Sequence, residues 1–231
     1  MKKFIPQSQR HKVIKNPIVI PAAAASAQSP MTVVPVPASL AGAENRVAAL
    51  ICRRTVSDTV AHVYLGRTYA FTSDAPQSFA GLGKVRGFAL TGQLVAWAAG
   101  PAIENRPPNS IQILDLATIV VKLVGVDRIM PDVSDFDALA DTTLLFCENE
   151  ILSVARAAMQ PDGSYALTVL PGRFGTPTNG YFRPGDTVWI VSRARLNFFG
   201  HPIFAAGNTA KFKITVGKQP LANAIPFEIQ L

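Results

Sequence analysis

The chain has 231 residues, of which 48% are hydrophobic, so it is long and apolar enough to bury a core and is not a wholly disordered protein. Only 16% of the residues are charged, below the roughly 25% usual in soluble domains, which favours a surface partly covered by partners, with a low-charge monomer as the alternative. Residues 1–43 contain no acidic residue and carry most of the net charge of +7, on Lys2, Lys3, Arg10, Lys12 and Lys15.

The basic segment predicts an arm that contacts other molecules. Basic arms bind nucleic acid or acidic protein surfaces. Aromatic residues do not alternate with the charges here, as they do where bases stack on a protein. We therefore expect contact with protein rather than nucleic acid, and a plain solvated tail is the alternative.

Residues 1–45 form a proline-rich leader in which a long helix is excluded and an extended backbone is favoured, because prolines recur from Pro17 to Pro37. The leader is also apolar, unlike a typical linker. An extended apolar segment without a strand partner of its own adds to the sheet edge of another subunit or lies in its groove. The sequence thus predicts an assembly arm whose contacts include Ile18, Val19, Ile20, Val33, Val34 and Val36. Neither a secretory signal nor a membrane span is predicted.

Residues 46–108 read as a small β sub-domain. One or two strands are predicted in Arg46–Leu65, with a helix as the alternative for the first half. Loops and turns are predicted for Tyr69–Gly87, followed by a strand over Phe88–Trp97 with an interruption or bulge at Gly92. Pro107-Pro108 marks the proposed boundary.

Residues 109–231 read as a second β-rich domain. A strand is predicted in Ser110–Val126, and a short helix over Ser134–Ala140 with Ser134 as its N-cap. Glu148–Ser192 is expected to form three strands joined by an Asp162-Gly163 hairpin and a type II turn at Arg183–Asp186.

The end of the chain is predicted as a loop over residues 193–208, a half-buried strand from Ala210 to Val216 and a last edge strand in Ala224–Leu231. Cys52 and Cys147 lie in apolar runs and are expected to be buried free thiols. No metal-binding motif is present. The predicted fold is all-β: small antiparallel sandwich or barrel modules with one short helix and an extended N-terminal arm.

A family resemblance lies in the order of the β-rich motifs. Glu150-Ile151-Leu152 opens a strand, a DG hairpin follows, and Arg173-Phe174-Gly175-Thr176 precedes Gly185-Asp186-Thr187-Val188. This order resembles the C-terminal β-rich region of the central tail-hub proteins of long-tailed bacteriophages and gene transfer agents. Leu170-Pro171-Gly172 stands where the family has Leu-Arg-Gly.

The resemblance implies a structural virion protein of the tail tip or baseplate, without catalytic activity, cofactor or metal. Its implied partners are other tail and baseplate proteins and copies of itself in a ring or trimer, assembled in the host cytoplasm. Further candidate contacts in the β-rich region are Arg173, Phe174, Tyr181, Phe182, Phe198 and Phe199.

Two other functions are weighed against assembly. A receptor- or carbohydrate-binding module is one, with a sugar platform formed by Trp97, Trp189, Tyr181, Phe182, Phe198 and Phe199, although aromatic residues in strands are more often core residues. A glycoside hydrolase is the other, because Glu148 and Glu150 would share one face of a strand about 7 Å apart. Acidic residues at the exposed start of a strand are the commoner explanation.

Overall fold

The computed structural model of the chain is an all-β protein, as the sequence predicts. Its strands are β1 Met31–Pro35, β2 Val47–Arg53, β3 Ala61–Gly66, β4 Phe79–Val85, β5 Phe88–Ala98, β6 Ala117–Val124, β7 Thr143–Cys147, β8 Glu150–Met159, β9 Tyr165–Leu170, β10 Thr187–Ser192, β11 Asn197–Gly200, β12 Thr209–Val216 and β13 Phe227–Gln230. The helices are α1 Ala38–Ala41 and α2 Asp135–Leu139. The structure describes residues 30–41, 47–54, 60–67, 74–86, 88–98, 116–125, 128–148, 150–176, 178, 182–200 and 208–230.

Six strands close into a barrel in the order β5-β10-β7-β8-β9-β6, with β6 returning to β5. Every neighbouring pair is antiparallel. Because side chains alternate across a strand, every second residue points inward and fills the barrel with Leu90, Ile119, Leu152, Leu167 and Ile190 among others. Closure removes the free edges of these six strands.

A second layer packs on the outside of the barrel. β2 lies between β1 and β11, antiparallel to both, and meets β5 in a short parallel contact at Cys52 and Arg53. Alternation along β1 divides its side chains between two cores. Val34 packs with Phe146 and Trp189 of the barrel wall, whereas Val33 faces the opposite way.

The third layer is a four-stranded sheet in the order β13-β12-β3-β4. It packs on β1 and β2 around Val33, Leu50, Val63 and Phe212. β3 comes from the first half of the chain and β12 from its end, and in the barrel β5 pairs with β10. Each sheet therefore contains strands from both sides of the boundary expected at Pro107-Pro108, which lies outside the described residues.

The local turn predictions are confirmed. β8 and β9 pair across the loop that contains Asp162 and Gly163, where Gly163 has a φ of 77°. At the second turn the Asp186 amide donates to the Arg183 carbonyl (3.0 Å), and Gly185 has the positive φ, 97°, that a type II turn requires. β13 lies at the edge of its sheet, as predicted.

Three segments differ from the prediction. The first half of Arg46–Leu65 is strand β2, not the alternative helix. β4 lies within the predicted loop Tyr69–Gly87, and β11 lies within the predicted loop after Ser192. Both unexpected strands exist through pairing with distant residues, β4 with β3 and β11 with β2. Gly83 of β4 has no side chain, and the ring of Phe199 of β11 occupies the space where a Cβ would lie.

The polar face of β12 is more covered than expected. Ala210 and Phe212 are buried as predicted, but Lys213 on the other face is buried too. Its Nζ donates to the Asp74 carbonyl (2.6 Å) and lies 5.0 Å from the centre of the Phe79 ring, while Lys211 pairs with the Asp74 carboxylate. The segment before β4 therefore shields this face, which the alternating pattern does not show.

The predicted irregularity at Gly92 lies elsewhere. β5 runs through Gly92 without a break, and the bulge occurs between Leu94 and Ala96. Gly92 is needed for packing instead: a Cβ there would lie 3.0 Å from the Lys122 carbonyl oxygen and 3.2 Å from Cγ2 of Val188.

We therefore expect Gly92→Ala to destabilise the protein by about 1–2 kcal/mol, because overpacking a filled site displaces its neighbours. Gly81→Ala is the matched control in β4, since a Cβ there meets nothing closer than 3.9 Å. Urea denaturation measures both, and equal midpoints for the two variants would contradict the packing role of Gly92.

Candidate interaction surface

Helix α2 lies within the connection between β6 and β7, and local hydrogen bonds stabilise its first turn. Ser134 is its N-cap, as the sequence predicts. Its Oγ accepts from the Asp137 amide (3.2 Å), and the Asp137 carboxylate accepts from the Ser134 amide (3.0 Å). This reciprocal capping box holds a helix of only five residues in place.

One face of α2 packs on the outer wall of the barrel. Ala138 is buried against Ala155 of β8 and Leu170 of β9. Arg156 of β8 donates from Nε (2.9 Å) and Nη2 (2.5 Å) to the two carboxylate oxygens of Asp135. This hydrogen-bonded pair lowers the pKa of Asp135 below its usual value.

The opposite face of α2 presents large apolar side chains to solvent. Phe136 is 77% exposed and Leu139 is 55% exposed. Ile129 (74%) in the connection before α2 and Met159 (71%) at the end of β8 are exposed too. Met159 is three residues beyond Arg156, so the two side chains point to opposite faces of β8. We call the exposed side of α2, with Phe136 and Leu139, the α2 face.

The sequence predicts α2, but the predicted contact residues do not include any on this helix. The available signal was Phe136 and Leu139 at i and i+3, which share one side of a helix, with the small Ala138 left to face the barrel. Exposed apolar clusters of this kind mark sites of interaction.

The predicted leader contacts divide into two groups. Val33, Val34 and Val36 are buried in the chain's own cores. β1 pairs with β2 of the same chain over its whole length, so these three valines are not at the surface. Ile18, Val19 and Ile20 lie outside the described residues.

Arg173 and Phe174 are engaged within the chain. Arg173 donates from Nε (2.5 Å) and Nη2 (2.8 Å) to the Asp141 carboxylate, which is largely buried. The Phe174 carbonyl accepts from Ser39 Oγ (2.9 Å), and the guanidinium of Arg193 lies 5.1 Å from the centre of its ring. Asp141 and Phe174 have φ values of 55° and 56°, which are unfavourable for residues other than glycine. These contacts hold Asp141 and Phe174 in their unfavourable backbone conformations.

The predicted aromatic platform is not assembled among the described residues. Trp189 is buried between the barrel and β1–β2, and Trp97 pairs with Phe182 at 6.0 Å between ring centres. Phe198 and Phe199 point to opposite sides of β11. Tyr181 lies outside the described residues.

The two glutamates weighed as a catalytic pair do not share a strand face. Glu148 lies in the tight turn between β7 and β8, with a φ of 49°, whereas Glu150 begins β8 opposite Cys147. Glu150 lies on the barrel-core side of β8 and is only 2% exposed, and its Oε1 accepts from the Gly172 amide (2.9 Å). Desolvation by burial raises the pKa of Glu150 to about 7, although the Gly172 bond opposes the shift.

The two cysteines are buried free thiols, as predicted. Burial raises the pKa of Cys52 to about 12 and also raises that of Cys147, so neither is a reactive thiolate at neutral pH. Within the described ranges, no three His, Cys, Asp or Glu side chains come together as metal ligands. No helix in that part of the chain is long and apolar enough to cross a bilayer.

No protein-family model matches the chain, and no curated protein matches it significantly. The likeness to tail-hub proteins therefore rests on the motifs of the β8–β10 region.

Proposed function

We propose that the protein is a structural component of a phage tail tip or baseplate, which binds other tail proteins through its α2 face. The observation that carries this is the pair of large apolar side chains Phe136 and Leu139, each more than half exposed, on a helix that packs on the barrel wall. Burial of such side chains favours association by about 25 cal/mol per Å² of apolar surface, before the costs of binding.

Two features support assembly rather than the alternatives. The β8–β10 region resembles the tail-hub family in the order of its motifs. The candidate sugar-binding aromatics are distributed over several cores, and Glu150 is enclosed by the barrel. The proposed partners are other tail and baseplate proteins and further copies of this chain in a ring or trimer, in the virion.

Purified tailed particles from the source test the proposal by quantitative mass spectrometry. We expect the chain in assembled tails at a fixed ratio to the other tail proteins, through density-gradient and size-exclusion steps. Recovery of the chain only in the unassembled fraction, with complete tails lacking it, would reject the proposed function.

A further inference from the structure

The four-stranded sheet ends in two strands that each have one open edge. β13 pairs with β12 at one end and β4 pairs with β3 at the other, and no further strand in the described ranges joins either. An open edge offers N–H and C=O groups with which a strand of another molecule can pair. Because neighbouring strands alternate in direction throughout this sheet, β13 of a second copy can continue it beside β4 with the same face outward.

The two edges carry opposite charges. Residues 79–86 contain two basic residues and no acidic one, and both Lys84 and Arg86 are exposed. Glu228 is the charged residue of β13, and it is exposed as well. Within the described part of the chain, neither Lys84 nor Glu228 forms an ion pair. Each can therefore pair with a charge on another molecule.

Lys84 and Glu228 also lie on the same face of the sheet. Their neighbours Val85 and Ile229 belong to the core that this sheet forms with β1 and β2. Because side chains alternate along a strand, Lys84 and Glu228 project from the opposite, outer face. Placing Glu228 of one copy opposite Lys84 of the next also sets Phe227 opposite Val85. Phe227 packs against the same core, so apolar side chains meet on the core side.

The backbone hydrogen bonds show that Lys84 directs its N–H and C=O groups to the open edge of β4. The Arg86 amide donates to Oδ1 of Asn197 (2.9 Å) and not to β3. In an antiparallel pair, successive residues alternate between facing the partner strand and facing away from it. Lys84 lies two residues before Arg86, beyond the bulge in this strand, and thus also faces away from β3.

The same alternation gives the direction of Glu228. The Arg67 amide donates to the Ser78 carbonyl (2.9 Å), which fixes the residues of β3 that face β4. Followed across the register of β3, β12 and β13, the alternation turns Phe227 towards β12 and its neighbour Glu228 towards the open edge. Lys84 and Glu228 therefore match in charge, in sheet face and in backbone direction.

We propose that β13 of one copy adds, antiparallel, to the open edge of β4 in the next copy, with Glu228 opposite Lys84. Directly opposite residues in such a pair have Cβ atoms about 5 Å apart, close enough for an ion pair. The contact joins two different edges, so it repeats head to tail and closes into a ring or continues as a filament. It names the surface that joins copies of this chain, and its place in a tail tip rests on the proposed function.

Charge reversal in the purified full chain tests this contact. We expect the wild type to self-associate reversibly at low salt as its concentration rises, measured by analytical ultracentrifugation. Lys84→Glu and Glu228→Lys should each weaken the association about tenfold, because like charges then lie opposite each other. The variant that carries both changes should regain the association, since the pair is restored with its charges exchanged.

The control for net charge is Lys122→Glu, at an exposed position of the barrel strand β6. It changes the net charge as Lys84→Glu does and should associate like the wild type. A wild type that stays monomeric up to millimolar concentration would overturn the pairing, as would a double variant that associates as weakly as the single ones.

Cross-linking between copies gives a second readout. Lys84→Cys and Glu228→Cys proteins are mixed and oxidised, while Cys52 and Cys147 are buried. A disulfide needs Cα atoms within about 7 Å, so this mixture should cross-link about tenfold faster than Lys122→Cys mixed with Glu228→Cys. Equal rates would contradict the pairing. The chain is tested alone, so failure here leaves the tail proposal standing, and absence of the chain from tails would leave the pairing standing.

Discussion

A chain carrying Phe136→Ser and Leu139→Ser is expected to fold as the wild type does but to lose its place in assembled tails. Both side chains are more than half exposed and contribute little to the core. Burying a Phe or Leu side chain is worth about 1.5–3 kcal/mol, so removing two from an interface weakens association at least about 100-fold. Co-expression of tagged variant and wild type, followed by mass spectrometry of purified tails, measures the ratio incorporated.

Ile225→Ser is the matched control for this double variant, because Ile225 is an exposed apolar residue outside the barrel. It should enter tails like the wild type. Urea midpoints must agree among all three proteins, since the changes are at the surface. Equal incorporation of the double variant and the wild type would exclude the α2 face as an interface.

Glu150→Gln is expected to stabilise the protein at alkaline pH and to remove part of its pH dependence. The pKa of Glu150 is about 7 in the folded protein, against an ordinary value of 4.5. Between these values the folded state holds a proton that the unfolded state has released, so the free energy of unfolding falls as pH rises from 4.5 to 7. The shift corresponds to a loss on the order of 3 kcal/mol.

The glutamine keeps an oxygen for the Gly172 amide and carries no charge at any pH. The variant should therefore match the wild type near pH 4.5 and exceed it by about 3 kcal/mol at pH 8. Urea denaturation at several pH values gives the difference, in which contributions common to both proteins cancel. Glu228→Gln, at an exposed position on β13, is the control. Parallel curves for Glu150→Gln and wild type would contradict the buried, proton-binding carboxyl.

The features that could be predicted are those set by a few neighbouring residues. Gly163 and Gly185 supply the positive φ that their turns need, and Ser134 caps α2 through the amide of Asp137. Alternation along β12 identifies Ala210 and Phe212 as core residues. Such signals depend little on the rest of the fold, so the all-β class and most strands follow from them.

The features that could not be predicted depend on residues far apart in the chain. The apolar character of Val33 and Val34 shows that they are buried, but not that they are buried against this chain's own β2 and barrel. β4 and β11 are weak strands by pattern and form because β3 and β2 provide partners. Burial of Glu150 requires the β7–β8 turn at Glu148, which places the carboxyl on the barrel-core side.

The same limit applies to the candidate interaction surface. Arg173 and Phe174 stand in a turn-rich segment typical of contact loops, yet Asp141 and Arg193 engage them from within the chain. Phe136 and Leu139 carry the exposed apolar surface because the barrel wall accommodates the smaller Ala138. Sequence spacing alone gives the two sides of α2 but not which side faces solvent.

Hydroxyl-radical labelling of the phenylalanines tests directly whether the α2 face is covered by another protein. Phe136 is 77% exposed in the isolated chain, whereas Phe146 and Phe212 are buried and serve as internal controls. Hydroxylation of the ring follows its exposure and is read by mass spectrometry. We expect Phe136 to be labelled rapidly in the free protein and at least tenfold more slowly in assembled tails. Equal labelling of Phe136 in both states would show that this face stays open and that the protein does not act through it.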